Sequence, residues 1–100
     1  MTSEETTAQD TLRVEGEMTI YRALELKDQL FPHAAVSPVA ALDLSAVSEI
    51  DSAGVQLLLL AQRAARAAGR ELRIVASSPA VLEVLQLMGL EQLCAAPEAA

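Results

Sequence analysis

A serine at the opening of a long helix is the residue in this chain best placed to do chemistry. In Asp43-Leu44-Ser45-Ala46-Val47-Ser48-Glu49-Ile50-Asp51-Ser52-Ala53-Gly54-Val55, a strand ends in Asp43, Val47 and Ile50 pin a connecting loop, and Ser52 starts a helical run. The first turn of a helix carries N–H groups without partners and a partial positive charge, so a phosphate esterified there is favoured by about 0.3 to 2 kcal/mol. Asp and Ser are equally the ordinary caps of helices, and either Asp51 or Ser52 could satisfy a first-turn N–H without any chemistry. Gly54 adds a second signal. A glycine in the first helical turn costs roughly 0.5 to 1 kcal/mol relative to alanine, which points to a close approach by another backbone.

Other chemistry is not expected. A hydrolytic triad needs a base, and the one histidine, His33, follows Pro32 in an expected surface loop with no sequence relation to a nucleophile. Neither G-x-x-x-x-G-K-[ST] nor G-x-G-x-x-G occurs, and four glycines leave no phosphate-cradling loop. Cys94, the only cysteine, permits no intrachain disulfide, and with a single histidine it offers no zinc ligand set, so it reads as a small buried filler. No cofactor, metal or catalytic activity is expected.

Composition narrows the partners. The chain has 100 residues, 52% of them hydrophobic and 21% charged, which suits one packed domain and not a disordered segment. Acidic residues outnumber basic ones 14 to 7, and Tyr21 and Phe31 are the only aromatics, so both the charge and the stacking surface for nucleic acid are missing. The polar, acidic amino terminus is unlike a signal peptide, and no apolar run approaches the ~18 residues of a membrane span. The expectation is a cytoplasmic protein without membrane insertion.

The elements that must hold Ser52 follow from periodicity. Residues 1–10 have no pattern and read as a flexible lead-in, residues 11–94 as the folded domain, and residues 95–100 as a flexible tail. Thr11 to Glu15 alternate polar and apolar, predicting a strand that ends at Gly16. Thr19 is placed to cap a first helix in which Ile20, Ala23, Leu24, Leu30 and Phe31 recur near helical spacing until Pro32 stops it. Val39 to Leu44 suits an interior strand covered on both faces. Ser52 to Ala68, rich in Ala and Leu, predicts the second helix with Gly69 as its left-handed stop. Glu71 to Val75 alternate again, and Ser78, Pro79 and Gly89 bracket a third helix. Leu90 to Cys94 suits a short strand or turn. Strand and helix in alternation imply an α/β fold, a small and mostly parallel sheet flanked by helices, because parallel neighbours need helical crossovers.

The second helix also carries partner information. Gln56, Leu60 and Arg63 share a stripe with Ala67 and Arg70, while Val55, Leu58, Leu59 and Gln62 face the sheet. Four successive leucines, Leu57 to Leu60, point around the whole helix, so at least one is expected to be exposed. Arg63, Arg66, Arg70 and Arg73 are four of the seven basic residues, whereas ten of the fourteen acidic residues precede Ser52. That asymmetry could steer an acidic partner, or be a solvated face with cations near a helix C-terminus.

Gly16-Glu17-Met18-Thr19, Leu42-Asp43-Leu44-Ser45, Ile50-Asp51-Ser52-Ala53-Gly54, Ser78-Pro79-Ala80-Val81 and Met88-Gly89-Leu90 occur in an order and spacing that resembles the STAS domain family. Its bacterial single-domain members include anti-sigma factor antagonists, and Asp-Ser-x-Gly is the most specific segment. The resemblance implies a STAS-like sheet flanked by helices and an acceptor serine phosphorylated by a partner serine kinase that doubles as anti-sigma factor, or by a related signalling ATPase. Carried over, the acceptor is Ser52, with Asp51, Ala53, Gly54 and Thr19 around it and Gln56, Leu60 and Arg63 on the partner face. Thr19 departs from the family pattern, which often has Asp there. Members also occur as constitutive subunits of lipid-trafficking ABC transporters; in that case the helix docks an ATPase and Ser52 is only a cap.

Overall fold

The computed structural model describes residues 10–36 and 39–94. The expected lead-in, apart from Asp10, and the expected tail lie outside these residues. Strands β1 (Asp10–Met18), β2 (Val39–Ile50) and β3 (Glu71–Ser77) form a parallel sheet in the order β1-β2-β3. Helices α1 (Ala23–Val36) and α2 (Ser52–Ala67) are the crossovers, and α3 (Pro79–Leu87) follows β3. The strand order takes two steps in the same direction, for which the right-handed crossover rule puts α1 and α2 on one face, and the two helices do pack together. Helix α3 packs on β2. Ala40, Ala41 and Leu42 are buried in succession, so both faces of the central strand are covered, as its unbroken apolar run predicts.

The strands are longer than the alternation indicates. β1 does not stop at Gly16: this residue takes φ +82° and carries the chain through an irregular stretch of β1–β2 pairing to Met18. What reads as a loop between Asp43 and Asp51 is the second half of β2. Eight steps along β1 match ten along β2, from Asp10↔Ala40 to Met18↔Ile50, so β2 carries two extra residues as bulges. The bulges explain why Val47 and Ile50 are buried at a spacing of three, which hid the strand.

Helix α1 differs most from expectation. It runs through Pro32 to Val36. Proline removes a single intrahelical N–H. Leu30 and Ala34, buried on either side of it, hold the helix in place. His33 is not in a surface loop. It lies in this last turn, half-buried, and its Nε2 donates to the carbonyl of Ala41 at 2.8 Å. The buried stripe of α1 is Leu26, Leu30 and Ala34, whereas Ile20 and Leu24 are exposed.

The other ends match their signals. Ser78 Oγ accepts from Val81 N–H at 3.2 Å, with Pro79 as the first helical residue. Gly69 (φ +73°) and Gly89 (φ +69°) close α2 and α3, and the amides of Arg70 and Leu90 bond back to the carbonyls of Ala65 and Leu85 at 2.8 and 2.7 Å. Glu91–Cys94 form a 3-10 turn, and Cys94 is half-buried with Sγ 3.3 Å from Ser77 Oγ. Among the described residues no helix is long and apolar enough to cross a membrane. No group of three or more His, Cys, Asp and Glu among them could hold a metal ion.

Candidate functional site

The carboxyl ends of β1 and β2 meet at Met18 and Ile50, and the candidate site is built just beyond them. The next residue, Asp51, is extended (φ −117°, ψ −174°) and is the cap of α2. Its Oδ1 accepts from the Gly54 N–H at 3.1 Å and its Oδ2 from the Ile20 N–H at 3.1 Å. One carboxylate therefore ties the start of α2 to the 3-10 turn Ile20–Arg22 that leads into α1. The bond from Gly54, then that from Ile20, hold the Asp51 carboxyl below its ordinary value of 3.8, against a smaller upward push from desolvation.

Ser52 is the first residue of α2 and is exposed. Because Asp51 makes the cap bond, the Ser52 hydroxyl is not the cap, and it has no hydrogen-bond partner among the described residues. Of the two caps that the sequence leaves open, Asp51 takes the role, and the alternative in which Ser52 is only a cap is corrected. An exposed, unengaged hydroxyl beside first-turn amides is chemically competent to be esterified.

Gly54 is buried for the reason its position suggests. A Cβ built on it would sit 2.2 Å from the Met18 carbonyl oxygen and 2.9 Å from Ile50 Cγ1. The same carbonyl accepts from the Asp51 N–H at 3.2 Å. The first turn of α2 thus lies directly on the end of β1, which fixes where Ser52 projects. Ala53, half-buried, completes the turn.

Thr19 is at the backbone cap position of the 3-10 turn, but its side chain does not cap. The residue is 8% exposed, and its Oγ1 donates at 3.5 Å to Glu17 Oε1 instead. The turn is braced from below by Arg22, whose NH1 donates to the carbonyls of Glu15 and Glu17 at 2.7 and 2.6 Å while NH2 pairs with Glu25 at 3.2 Å. Two further carboxylates reach this end of the sheet: exposed Glu17 and Glu49 face each other across β1 and β2. With Asp51, three carboxylates thus stand at the end of the sheet from which α2 starts.

Gln56, Leu60 and Arg63 all lie exposed on α2, with Val55 and Leu58 buried behind them. Of the four consecutive leucines, Leu60 is the exposed one, at 49%. On the other side of Asp51, Ile20, Tyr21 and Leu24 are exposed at 60%, 91% and 78%. The helical recurrence groups Ile20 and Leu24 with Leu30 and Phe31 and does not reveal this exposed apolar trio. The signal was present: a buried stripe at Leu26, Leu30 and Ala34 leaves Leu24 on the opposite side of the helix.

A family model described as Mlab, STAS domain matches residues 1–95. Among solved structures, the chain is similar to the anti-sigma factor antagonist SpoIIAA in its unphosphorylated form, with a TM-score of 0.71 and 21% identity over 87% of this chain and 77% of that one. It is also similar to a sulfate transporter family protein from Wolinella succinogenes, with a TM-score of 0.67 and 20% identity over 88% of this chain and 72% of that one. The STAS domain of a SulP transporter from Vibrio cholerae gives a TM-score of 0.64 and 18% identity over 88% of this chain and 69% of that one. A bulged parallel sheet, a capped helix opening at Asp51-Ser52-Ala53-Gly54 and the match along nearly the whole chain agree: the chain belongs to the STAS domain family.

Proposed function

We propose that residues 11–94 form a regulatory interaction module without catalysis of its own, an anti-sigma factor antagonist whose binding to a partner serine kinase is switched by phosphorylation of Ser52. The observation that carries this is the exposed Ser52 hydroxyl, left free because Asp51 performs the capping. Gly54 and Asp51 hold the serine in a fixed place. Ile20, Tyr21 and Leu24 on one side and Gln56, Leu60 and Arg63 on the other supply a mixed apolar and polar surface beside it. A phosphoserine adds about 1.5 to 2 negative charges, taking the chain from −7 toward about −9 at an edge that already holds Glu17, Glu49 and Asp51. A partner carboxylate about 5 Å away at an effective dielectric of about 20 then meets a repulsion of a few kcal/mol, at least a tenfold loss of affinity.

A second reading is favoured by the family description and by two of the structural relatives, which are transporter proteins. Here the module is a constitutive subunit that docks an ATPase of an ABC-type lipid transporter through α2. Incubation with ATP and the ATPase that co-purifies from the native cell separates the two. Under the switch, the intact mass rises by one phosphoryl group and Ser52→Ala abolishes the gain. An unchanged mass with the partner bound refutes the switch and leaves the subunit.

A further inference from the structure

The last turn of α2, the loop to β3 and the final 3-10 turn enclose a cleft of about 430 Å³ that plays no part in the Ser52 site. Arg66 comes from α2, Arg70 from the loop and Arg73 from β3, with Gln92 and Leu93 added from the final 3-10 turn. Ser52 is fourteen residues earlier on α2 than Arg66, about 21 Å along the helix axis. In a chain with twice as many acidic as basic residues, three of the seven cations line one cleft. The one carboxylate among the described residues that line it, Glu71, is already engaged by Arg73, with Nε to Oε2 at 3.1 Å and NH2 to Oε1 at 3.2 Å. Arg73 Nε is buried and, despite that ion-pair distance, lacks an aligned hydrogen-bond acceptor. Arg66 and Arg70 have no ion pair among the described residues.

We infer that this cleft binds a small phosphorylated organic molecule, its phosphate held by the forks of Arg66 and Arg70. Guanidinium groups match phosphate in a bidentate manner, and among the described lining residues three cations stand against Glu71, leaving two positive charges for a dianion. The volume lies in the range of small-molecule sites and exceeds a bare phosphate, so room remains for an organic body against Leu93. Helix-end cations serve the α2 dipole as well, but that role needs neither a cleft nor Arg73 on a separate strand.

Titration of the 15N-labelled protein with inorganic phosphate, against sodium chloride at matched ionic strength, tests the inference. Saturable shifts of the Gly69, Arg70 and Arg73 amides are expected with phosphate and not with chloride. Arg66→Gln and Arg70→Gln should each raise the dissociation constant about tenfold, as expected for a lost charge-assisted hydrogen bond. Lys27→Gln, with the same charge change on α1, should leave it unaltered. Amide shifts away from the cleft report whether each variant is folded. Linear shifts equal to those with chloride, an equal loss in Lys27→Gln, or saturation by succinate but not by phosphate would each overturn the assignment.

Discussion

Replacing Gly54 by alanine isolates the contact that positions Ser52. Helix propensity alone says the change should stabilise, by up to about 1 kcal/mol, since glycine is the poorer helix former. The geometry says otherwise. The new Cβ would lie 2.2 Å from the Met18 carbonyl oxygen, so that backbone must retreat by about 1 Å to reach an ordinary contact. Met18 is fully buried and its carbonyl is engaged at 3.2 Å by the amide that precedes Ser52, so the retreat strains the core and breaks a hydrogen bond. Overpacking costs about 1 to 3 kcal/mol and a lost backbone hydrogen bond about 0.5 to 1.5. Net of the propensity gain, Gly54→Ala should lose about 2 kcal/mol, a fall in Tm of about 8 to 16 °C for a domain of this size. Far-UV circular dichroism suits the measurement, since the chain has no Trp and a single Tyr. Gly69→Ala is the control: its φ is +73° but nothing lies within 4 Å, so only the left-handed backbone cost of about 1 kcal/mol applies. A Gly54→Ala protein that melts at or above the wild-type temperature would refute the close-approach argument.

Further outcomes are expected at three positions. Ser52→Ala should change stability by less than about 0.5 kcal/mol in urea denaturation, because the hydroxyl caps nothing; a loss near 1 kcal/mol would return Ser52 to a capping role. Asp51→Asn keeps one side-chain oxygen for the two amides of Gly54 and Ile20, so the turn at Ile20 or the cap must loosen, read as faster amide exchange at one of them. The Asp51 carboxyl titrates lower in the folded chain than its ordinary 3.8, so its contribution is complete above that value and is lost as pH falls through the folded pKa. The stability gap between wild type and Asp51→Asn should therefore shrink below about pH 4, and a gap that widens there would reverse the sign. Arg22→Ala should cost about 1 to 2 kcal/mol in the same denaturation assay, since two strand carbonyls lose a charged donor, and Arg22→Lys should not restore both bonds; wild-type stability in Arg22→Ala would remove the brace.

The order of elements was legible because several boundaries have a local cause. Ser78 and Pro79 start α3, Gly69 and Gly89 stop their helices, and Ala40 to Leu42 read as a strand buried on both faces. The close approach at Gly54 was legible too, as a glycine where helix propensity disfavours one. What escaped depends on tertiary contacts. The bulges of β2 break the period of two and disguise half a strand as a loop. Pro32 signals a helix end, yet buried Leu30 and Ala34 and the bond from His33 to Ala41 hold α1 together past it. Whether Asp51 or Ser52 caps α2 is a matter of which side chain turns inward, and the second acceptor site for Ile20 decides it for the carboxylate, 31 residues away in sequence. Tyr21 is exposed in the turn that this bond anchors, and Leu24 is exposed opposite the buried stripe of α1.

The most direct test compares two forms of the protein against one partner. The protein that co-purifies with the native chain is titrated calorimetrically with unmodified chain and with chain carrying phosphoserine at position 52. A dissociation constant raised at least about tenfold by the phosphate is expected from the added charge at an acidic edge. Equal affinity for the two forms would contradict the claim that Ser52 governs binding.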